Sequence, residues 1–275
     1  MPSARRPVAS SPADLVPVAR GPYPDAMGDD LAARRPGGNR VLIPRGRPLL
    51  GPSGRAWASG VLAGCAILVG LLGLVFRGQT RAGGFDTAID TSFIAFFAGH
   101  RDLLPWLAKP GTPIPAVLIS AVIAAGCLLA GRLNGAVLAL AAVPAADGLT
   151  DGLLKPLIHR TYFGGVVYPS GHTTAVVALT ATLAVLLLVP PQRSSTRVAR
   201  VLLVAIFCVA SALVATAVIA LRWHYFTDTV AGAAVGVGTV CALALILDLV
   251  WPPASRRAVA GTAHKRQARS TASPR

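Results

Sequence analysis

Six apolar runs, each close to the length of a membrane crossing, constrain this chain more than any other feature. A helix needs about 20 mainly apolar residues to cross the hydrocarbon core of a bilayer. The chain is 53% hydrophobic and only 13% charged, whereas soluble domains carry about 25% charged residues. We therefore predict an all-α, polytopic membrane bundle of six transmembrane helices. The predicted spans are Trp57–Phe76, Ile114–Gly131, Leu133–Leu154, Thr173–Val189, Val201–Leu221 and Phe226–Val250.

The net charge of +15 follows the predicted topology. With six spans and both termini on one side, 19 of the 26 Lys and Arg residues lie on the side of the termini and 7 on the other. Because cytoplasmic loops carry the excess of Lys and Arg, this distribution predicts that both termini are cytoplasmic. Topology thus explains the basic residues, and we do not expect nucleic-acid binding.

Two basic segments flank the predicted membrane domain. Residues 1–55 contain 10 of the 22 prolines, and residues 252–275 have a similar polar composition. Such composition is typical of disorder, so we predict cytoplasmic tails over 1–55 and 252–275 and a membrane domain over 56–251. Within that domain, the stretch Phe85–Leu107 predicts one or two amphipathic helices on the outer membrane surface.

Ionisable residues of the predicted bundle collect in two short segments, Asp151–His172 and Leu221–Asp228. In the predicted topology both segments lie at the outer ends of membrane helices and therefore at one depth. Ionisable side chains are costly at such positions and are functional candidates by default. We therefore expect a site at the extracytoplasmic boundary of the membrane.

The sequence Pro169-Ser170-Gly171-His172 precedes the fourth predicted span. Ser170 suits the N-cap position, and Gly171 lets a ligand approach the backbone. The unpaired amides and the dipole of a helix start attract an anion, and His172 can transfer a proton. This arrangement predicts an anion site beside a proton donor.

Two pairs of charged residues have helical spacing, and each has a structural alternative. Asp151 and Lys155 can place a cation in a site or simply stabilise a helix end. In a helix, Asp228 would accept the imidazole N–H of His224 and leave the other ring nitrogen free to attack. The alternative is a structural His–Asp pair at a helix cap.

Taken together, the candidates predict phosphoryl transfer through a phosphohistidine. Two histidines, one of them backed by a carboxylate, supply a nucleophile and a separate acid, and guanidinium groups at Arg160 and Arg222 suit a phosphate. All 11 acidic residues are aspartates, and no group of Asp and His has metal-ligand spacing. The sequence therefore predicts no metal and no cofactor.

At these residues the chain resembles the type-2 phosphatidate phosphatase superfamily, which includes lipid phosphate phosphatases and shares its fold with vanadium-dependent haloperoxidases. Its motifs are Lys-x6-Arg-Pro, Pro-Ser-Gly-His and Ser-Arg-x5-His-x3-Asp, and the resemblance covers about residues 86–250. Lys155 begins the first motif, Pro169–His172 matches the second, and His224 to Asp228 ends the third. Tyr162 and Val218 stand where the two motif arginines would fall.

The resemblance implies a role for each matched residue. His224 would attack phosphorus, Asp228 would orient it, and His172 would protonate the leaving oxygen. Lys155, Ser170 and the Gly171 amide would hold the equatorial oxygens. We expect Arg160 and Arg222 to replace the two missing arginines, since Arg222 is one helical turn beyond Val218.

We therefore expect an integral membrane lipid phosphatase that acts on a polyprenyl diphosphate or a phosphatidate-type lipid, with lipid as its partner. The sequence leaves three alternatives open: a lipid phosphotransferase with an acceptor other than water, a transporter, and a relative that binds lipid phosphate without hydrolysing it. A transporter predicts discontinuous helices with charges near the middle of the membrane, where only Asp147 is expected.

Overall fold

The architecture is built from long apolar helices, seen in a computed structural model that describes residues 48–189 and 196–251. The helices in these ranges are α1 (Pro52–Phe76), α2 (Gly84–Phe96), α3 (Leu104–Ala108), α4 (Pro113–Leu129), α5 (Leu133–Asp147), α6 (Lys155–Ile158), α7 (Gly171–Leu188), α8 (Arg197–Ala220) and α9 (Phe226–Val250). A short β-hairpin joins α6 to α7, and its two strands have two residues each: β1 (Thr161–Tyr162) and β2 (Gly165–Val166). The predicted all-α membrane bundle is confirmed.

Five helical segments of the described chain are long and apolar enough to cross a membrane. They are α1, the continuous segment Leu133–Ile158, α7, α8 and α9. A sixth span exists if Arg101–Gly111 and α4, which meet at 49°, are counted as one bent span. The bend follows from the extended backbone of Thr112, which precedes Pro113 at the start of α4. The predicted number of six spans is therefore approximate.

The third predicted span continues further than its sequence suggested. Asp147 and Asp151 do not end the helix, because the chain passes through a π-helical turn at Gly148–Leu154 and then through α6. Such turns are rare and occur often at functional sites. The segment ends at His159, whose backbone is left-handed with φ of 52°.

Close packing of α7 against α9 brings two helix starts together. A Cβ atom at Gly232 of α9 would lie 2.5 Å from the carbonyl oxygen of Ser170, and one at Gly236 would lie 2.8 Å from that of Thr174. Glycine permits this approach, as small residues commonly do between membrane helices. Consequently the start of α7, with His172, lies beside the start of α9, which follows His224.

At its opposite end, α9 carries Asp248, which is 1% exposed. Its carboxylate accepts the backbone N–H groups of Leu49 and Leu50 at 2.8 and 3.0 Å and pairs with Arg55 at 3.2 Å. A buried carboxylate needs such donors, so residues 49–55, which the sequence assigned to the tail, pack against the end of α9. The rest of both predicted tails, 1–47 and 252–275, lies outside the described residues.

Candidate active site

A cavity of about 730 Å³ lies where α7 and α9 begin. It is bounded by the α5–α6 segment, the hairpin, the first turn of α7 and the loop before α9. Its polar and aromatic lining consists of Asp147, Asp151, Lys155, Tyr162, Phe163, His172, Arg222, Trp223 and His224. The two segments of clustered ionisable residues thus converge on one cavity.

Two imidazole rings lie next to each other in this cavity. The ring centroids of His172 and His224 are 6.4 Å apart, with the planes at 61°. Reacting atoms in productive complexes lie about 3–3.5 Å apart. Two imidazoles at this separation can therefore flank a single phosphorus centre.

The surroundings of His224 set its tautomer and its protonation. Its Nδ1 atom lies 2.9 Å from the carbonyl oxygen of Val167. Because a carbonyl oxygen only accepts, Nδ1 carries the hydrogen and Nε2 keeps a free lone pair. Burial, helped by the nearby charges of Lys155 and His172, lowers the pKa of His224 to about 3. His224 is therefore a neutral imidazole at neutral pH.

The structure does not show the expected hydrogen bond between Asp228 and His224. Asp228 Oδ2 lies 4.0 Å from His224 Nδ1 and instead accepts the backbone N–H of Tyr225 at 3.0 Å. The expected bond required a helix through both residues, but α9 begins at Phe226, so His224 lies in the preceding loop. Asp228 is thus a nearby charge for His224 and a cap for α9.

At the start of α7, His172 lines the cavity, whereas Ser170 does not reach it. The Ser170 side chain accepts the Thr173 N–H at 3.4 Å, which confirms the predicted N-cap. Ser170 is fully buried and does not line the cavity, whereas Gly171 and His172 do. The anion-attracting element here is therefore the helix start itself.

The backbone of Gly111 packs directly against His172. A Cβ atom at position 111 would lie 2.8 Å from the His172 carbonyl oxygen and 2.9 Å from its Cβ. Real Cβ atoms do not approach so closely, so this position requires glycine. The turn before α4 thereby helps to fix the position of His172.

Two cations line the cavity. Lys155 forms the predicted pair with Asp151, at 2.7 Å, and the Asp151 side chain is 61% exposed. Arg222 is exposed and has a left-handed backbone with φ of 59°. Because α8 ends at Ala220, the helical spacing expected between Val218 and Arg222 does not apply, yet Arg222 still reaches the cavity.

Arg160 is not brought to the cavity with the other candidates. Its side chain is completely buried, with the guanidinium carbon 4.0 Å from the ring centre of Phe76 and 4.3 Å from that of Tyr225. It pairs with Asp86 at 2.5 Å and with Asp228 at 2.6 Å. Two carboxylates compete for this guanidinium and hold it behind the cavity wall, which is why it does not replace a phosphate-binding arginine here.

The two positions that lack the motif arginines differ in location. Tyr162 lines the cavity and packs on Tyr225 with ring centroids 4.4 Å apart. Val218 is completely buried and packs with Leu104 and Ala108. An arginine could therefore reach the cavity from position 162, whereas position 218 faces an apolar cluster.

Besides Gly111, sequence reasoning missed Asp86, Asp90 and Val167, which also shape the site. Asp86 and Asp90 accept the backbone N–H groups of Thr227 and Phe226, each at 3.0 Å. Their spacing of four residues would have placed them on one helical face, but nothing local indicates what that face contacts. The carbonyl of Val167 carries no sequence signal at all, since every residue has one.

The fold and the site define a polytopic helical membrane protein with a charged, two-histidine cavity at the ends of its helices. Residues 144–251 match the family model of the PAP2 superfamily. This match supports a type-2 phosphatidic acid phosphatase-like family member, and the superfamily implies phosphatase-type hydrolase activity. The match spans Lys155 to Asp228 but leaves out α1 to α4. No curated protein and no solved structure matches the chain.

Proposed function

We propose that this protein is an integral membrane lipid phosphatase that works through a phosphohistidine. Its substrate would be the phosphomonoester or diphosphate of a lipid, of the polyprenyl diphosphate or phosphatidate type. The observation that carries the proposal is the pair of rings at His172 and His224, 6.4 Å apart in one cavity, with a neutral His224 whose Nε2 is free.

In the first step, Nε2 of His224 attacks phosphorus. The bond between phosphorus and the bridging oxygen of the lipid breaks as the N–P bond forms. Protonated His172 gives its proton to the leaving oxygen, so the lipid departs as an alcohol, or as a monophosphate when the substrate is a diphosphate. The Val167 carbonyl holds the Nδ1–H of the charged intermediate.

In the second step, water attacks the phosphorylated His224. His172, now neutral, takes a proton from the water as the P–O bond forms and the N–P bond breaks. Inorganic phosphate leaves, and both histidines return to their starting protonation states. The proton lost in the first step is thereby recovered in the second.

The equatorial oxygens of the transferring group would be held by Lys155, Arg222 and the Gly171 amide. Stabilising this charge is usually a large part of the catalysis of phosphoryl transfer. Asp151 pairs with Lys155 while largely exposed, and exposed ion pairs are weak, so a phosphate can displace it. Ser170 would contribute as the cap of α7 and Asp228 as a nearby charge.

The excess of 19 over 7 basic residues supports an extracytoplasmic site with both termini in the cytoplasm. His172 and His224 lie at the end of the bundle opposite to the beginning of α1 and the end of α9. A substrate would therefore present its phosphate at the outer membrane boundary, with its apolar part in the bilayer.

Phosphate release in detergent with a chelator tests the proposal. The substrates are dioleoyl phosphatidate and a polyprenyl diphosphate, and the variants are His224→Ala and His172→Ala. Both variants should lose nearly all activity, while the control His100→Ala, at an exposed position outside the cavity, should not. Activity retained in His224→Ala would reject the nucleophile. Release only with an added alcohol acceptor would indicate a phosphotransferase instead.

A further inference from the structure

Behind the cavity, one arginine and two aspartates form a buried charge cluster. Arg160, Asp86 and Asp228 are each at most 1% exposed. Nη2 of Arg160 donates to Asp86 Oδ2 at 2.5 Å, and Nη1 donates to Asp228 Oδ1 at 2.6 Å. Buried charges are tolerated only when they are paired in this way.

Thr227 completes this cluster. Its hydroxyl accepts from Arg160 Nη1 at 2.7 Å and donates to Asp86 Oδ2 at 2.9 Å. The backbone N–H of Thr227 also donates to Asp86 Oδ1 at 3.0 Å. Both oxygens of Asp86 are therefore used to hold the first turn of α9, which carries Asp228.

Two aromatic rings hold the plane of the Arg160 guanidinium, in addition to the carboxylates that balance its charge. The Phe76 and Tyr225 rings lie within about 4 Å of it, a contact that favours guanidinium over ammonium. Tyr225 is the residue directly after His224, and its backbone N–H bonds to Asp228. A movement of Arg160 would therefore reach His224 through Tyr225 and Asp228.

We propose that Arg160 is a positioning residue for His224, and that Asp86 of α2 holds Arg160 in place. The inference rests on the proposed function, and it assigns a reaction role to a helix that lies outside the matched segment 144–251. Asp86 shares the guanidinium with Asp228, so that Asp228 keeps part of its charge for the imidazolium that forms at His224. Arg160 itself does not touch the substrate.

Two changes test this role without a large change in shape. Arg160→Lys keeps the charge but loses the planar fork, and Asp86→Asn keeps the acceptor for Thr227 but loses the charge that holds Arg160. Both should lower kcat on the order of 10- to 100-fold, since small misplacements of reacting groups have effects of that size. KM should stay within about 2-fold, since an interaction made only in the transition state leaves substrate binding unchanged.

Two further variants separate positioning from charge balance. Arg160→Met combined with Asp86→Asn keeps the net charge of the cluster at −1, and kcat should still be low in the folded double variant. Asp102→Asn makes the same chemical change at an exposed position and should leave kcat unchanged. A wild-type kcat in the double variant would show that Arg160 serves only to balance charge. A raised KM with unchanged kcat in Arg160→Lys would show that it binds the phosphate. Either result overturns the proposal.

A measurement without substrate keeps the inference apart from the proposed function. In ¹⁵N-histidine NMR spectra, Arg160→Lys and Asp86→Asn should shift the His224 ring signals, and Asp102→Asn should not. If the wild type releases no phosphate, the proposed function fails while this measurement still decides the role of Arg160. Unchanged His224 signals in both variants would overturn it.

Discussion

The carbonyl oxygen of Val167 lies 2.9 Å from Nδ1 of His224, and this bond leaves Nε2 without a hydrogen in a ring that lines the cavity. The residue that orients the imidazole is thus a backbone group of the segment after the hairpin. No carboxylate is needed to select this tautomer, because a carbonyl can only accept a hydrogen bond. Asp228, at 4.0 Å, remains close enough to stabilise a positive charge on the ring.

We expect His224 to stay neutral well below the pH at which a free histidine takes up its proton. The ordinary pKa is about 6.5, and burial lowers the pKa of His224 to about 3. ¹⁵N NMR of labelled histidine should therefore show a constant Nδ1–H tautomer for His224 from pH 7.5 to pH 5. The His224→Gln variant identifies the signal by its loss, and a signal that titrates above pH 5 would contradict the expectation.

The same shift has a consequence for stability. Since the folded-state pKa lies below the unfolded value, the unfolded chain binds the proton more readily. The contribution of His224 to stability is complete above about pH 6.5 and is lost as the pH falls towards 3. Thermal unfolding in detergent should show a smaller loss of stability between pH 7 and pH 5 in His224→Gln than in the wild type.

Gly111→Ala should reduce activity by displacing His172. The added Cβ would lie 2.8 Å from the His172 carbonyl oxygen, so the start of α7 must move, and kcat should fall on the order of 100-fold. Gly99→Ala is the matched control, because a Cβ there has nothing within 4 Å. Equal kcat values for the two variants would show that the position of His172 is not critical.

Local sequence was sufficient to predict five of the spans but not the interior of the site. The end of α1 at Phe76 and both ends of α9 follow from apolar composition, and the cap of α7 follows from Ser170. Both properties are carried by neighbours in the chain. The pairing of Arg160 with Asp86, 74 residues away, depends on how α2 packs on α9. Arg160 therefore resembled a phosphate ligand in sequence and lies in a buried cluster in the structure.

Arg222 offers a clean test of phosphate binding because its backbone is left-handed. Among residues other than glycine, Asn is one of those that best tolerate φ near 59°, so Arg222→Asn removes the charge with little backbone strain. A charged hydrogen bond is worth about 1.5–3 kcal/mol, so kcat/KM should fall about 10- to 100-fold. Arg101→Asn, at an exposed position outside the cavity, is the control, and equal values for both variants would exclude Arg222 from the phosphate site.

Tyr162→Arg should increase activity, because it returns a motif arginine to a position that lines the cavity. One additional guanidinium at the phosphate should raise kcat/KM about 10-fold. Tyr162→Phe keeps the packing on Tyr225 and should remain close to wild type, which separates the new charge from the lost hydroxyl. A folded Tyr162→Arg variant without any gain would mean that the other cations already satisfy the phosphate.

A cysteine-labelling experiment tests on which side of the membrane the cavity opens. The single-cysteine variants are made in a protein whose four native cysteines are replaced by alanine: Cys65, Cys127, Cys208 and Cys241. His100→Cys reports on the cavity end of the bundle and Arg197→Cys on the opposite end of α8, and both positions are exposed. In intact cells a membrane-impermeant maleimide should label the His100→Cys variant, and the Arg197→Cys variant only after permeabilisation. The reverse pattern would place the cavity in the cytoplasm and direct the search towards substrates of the inner leaflet.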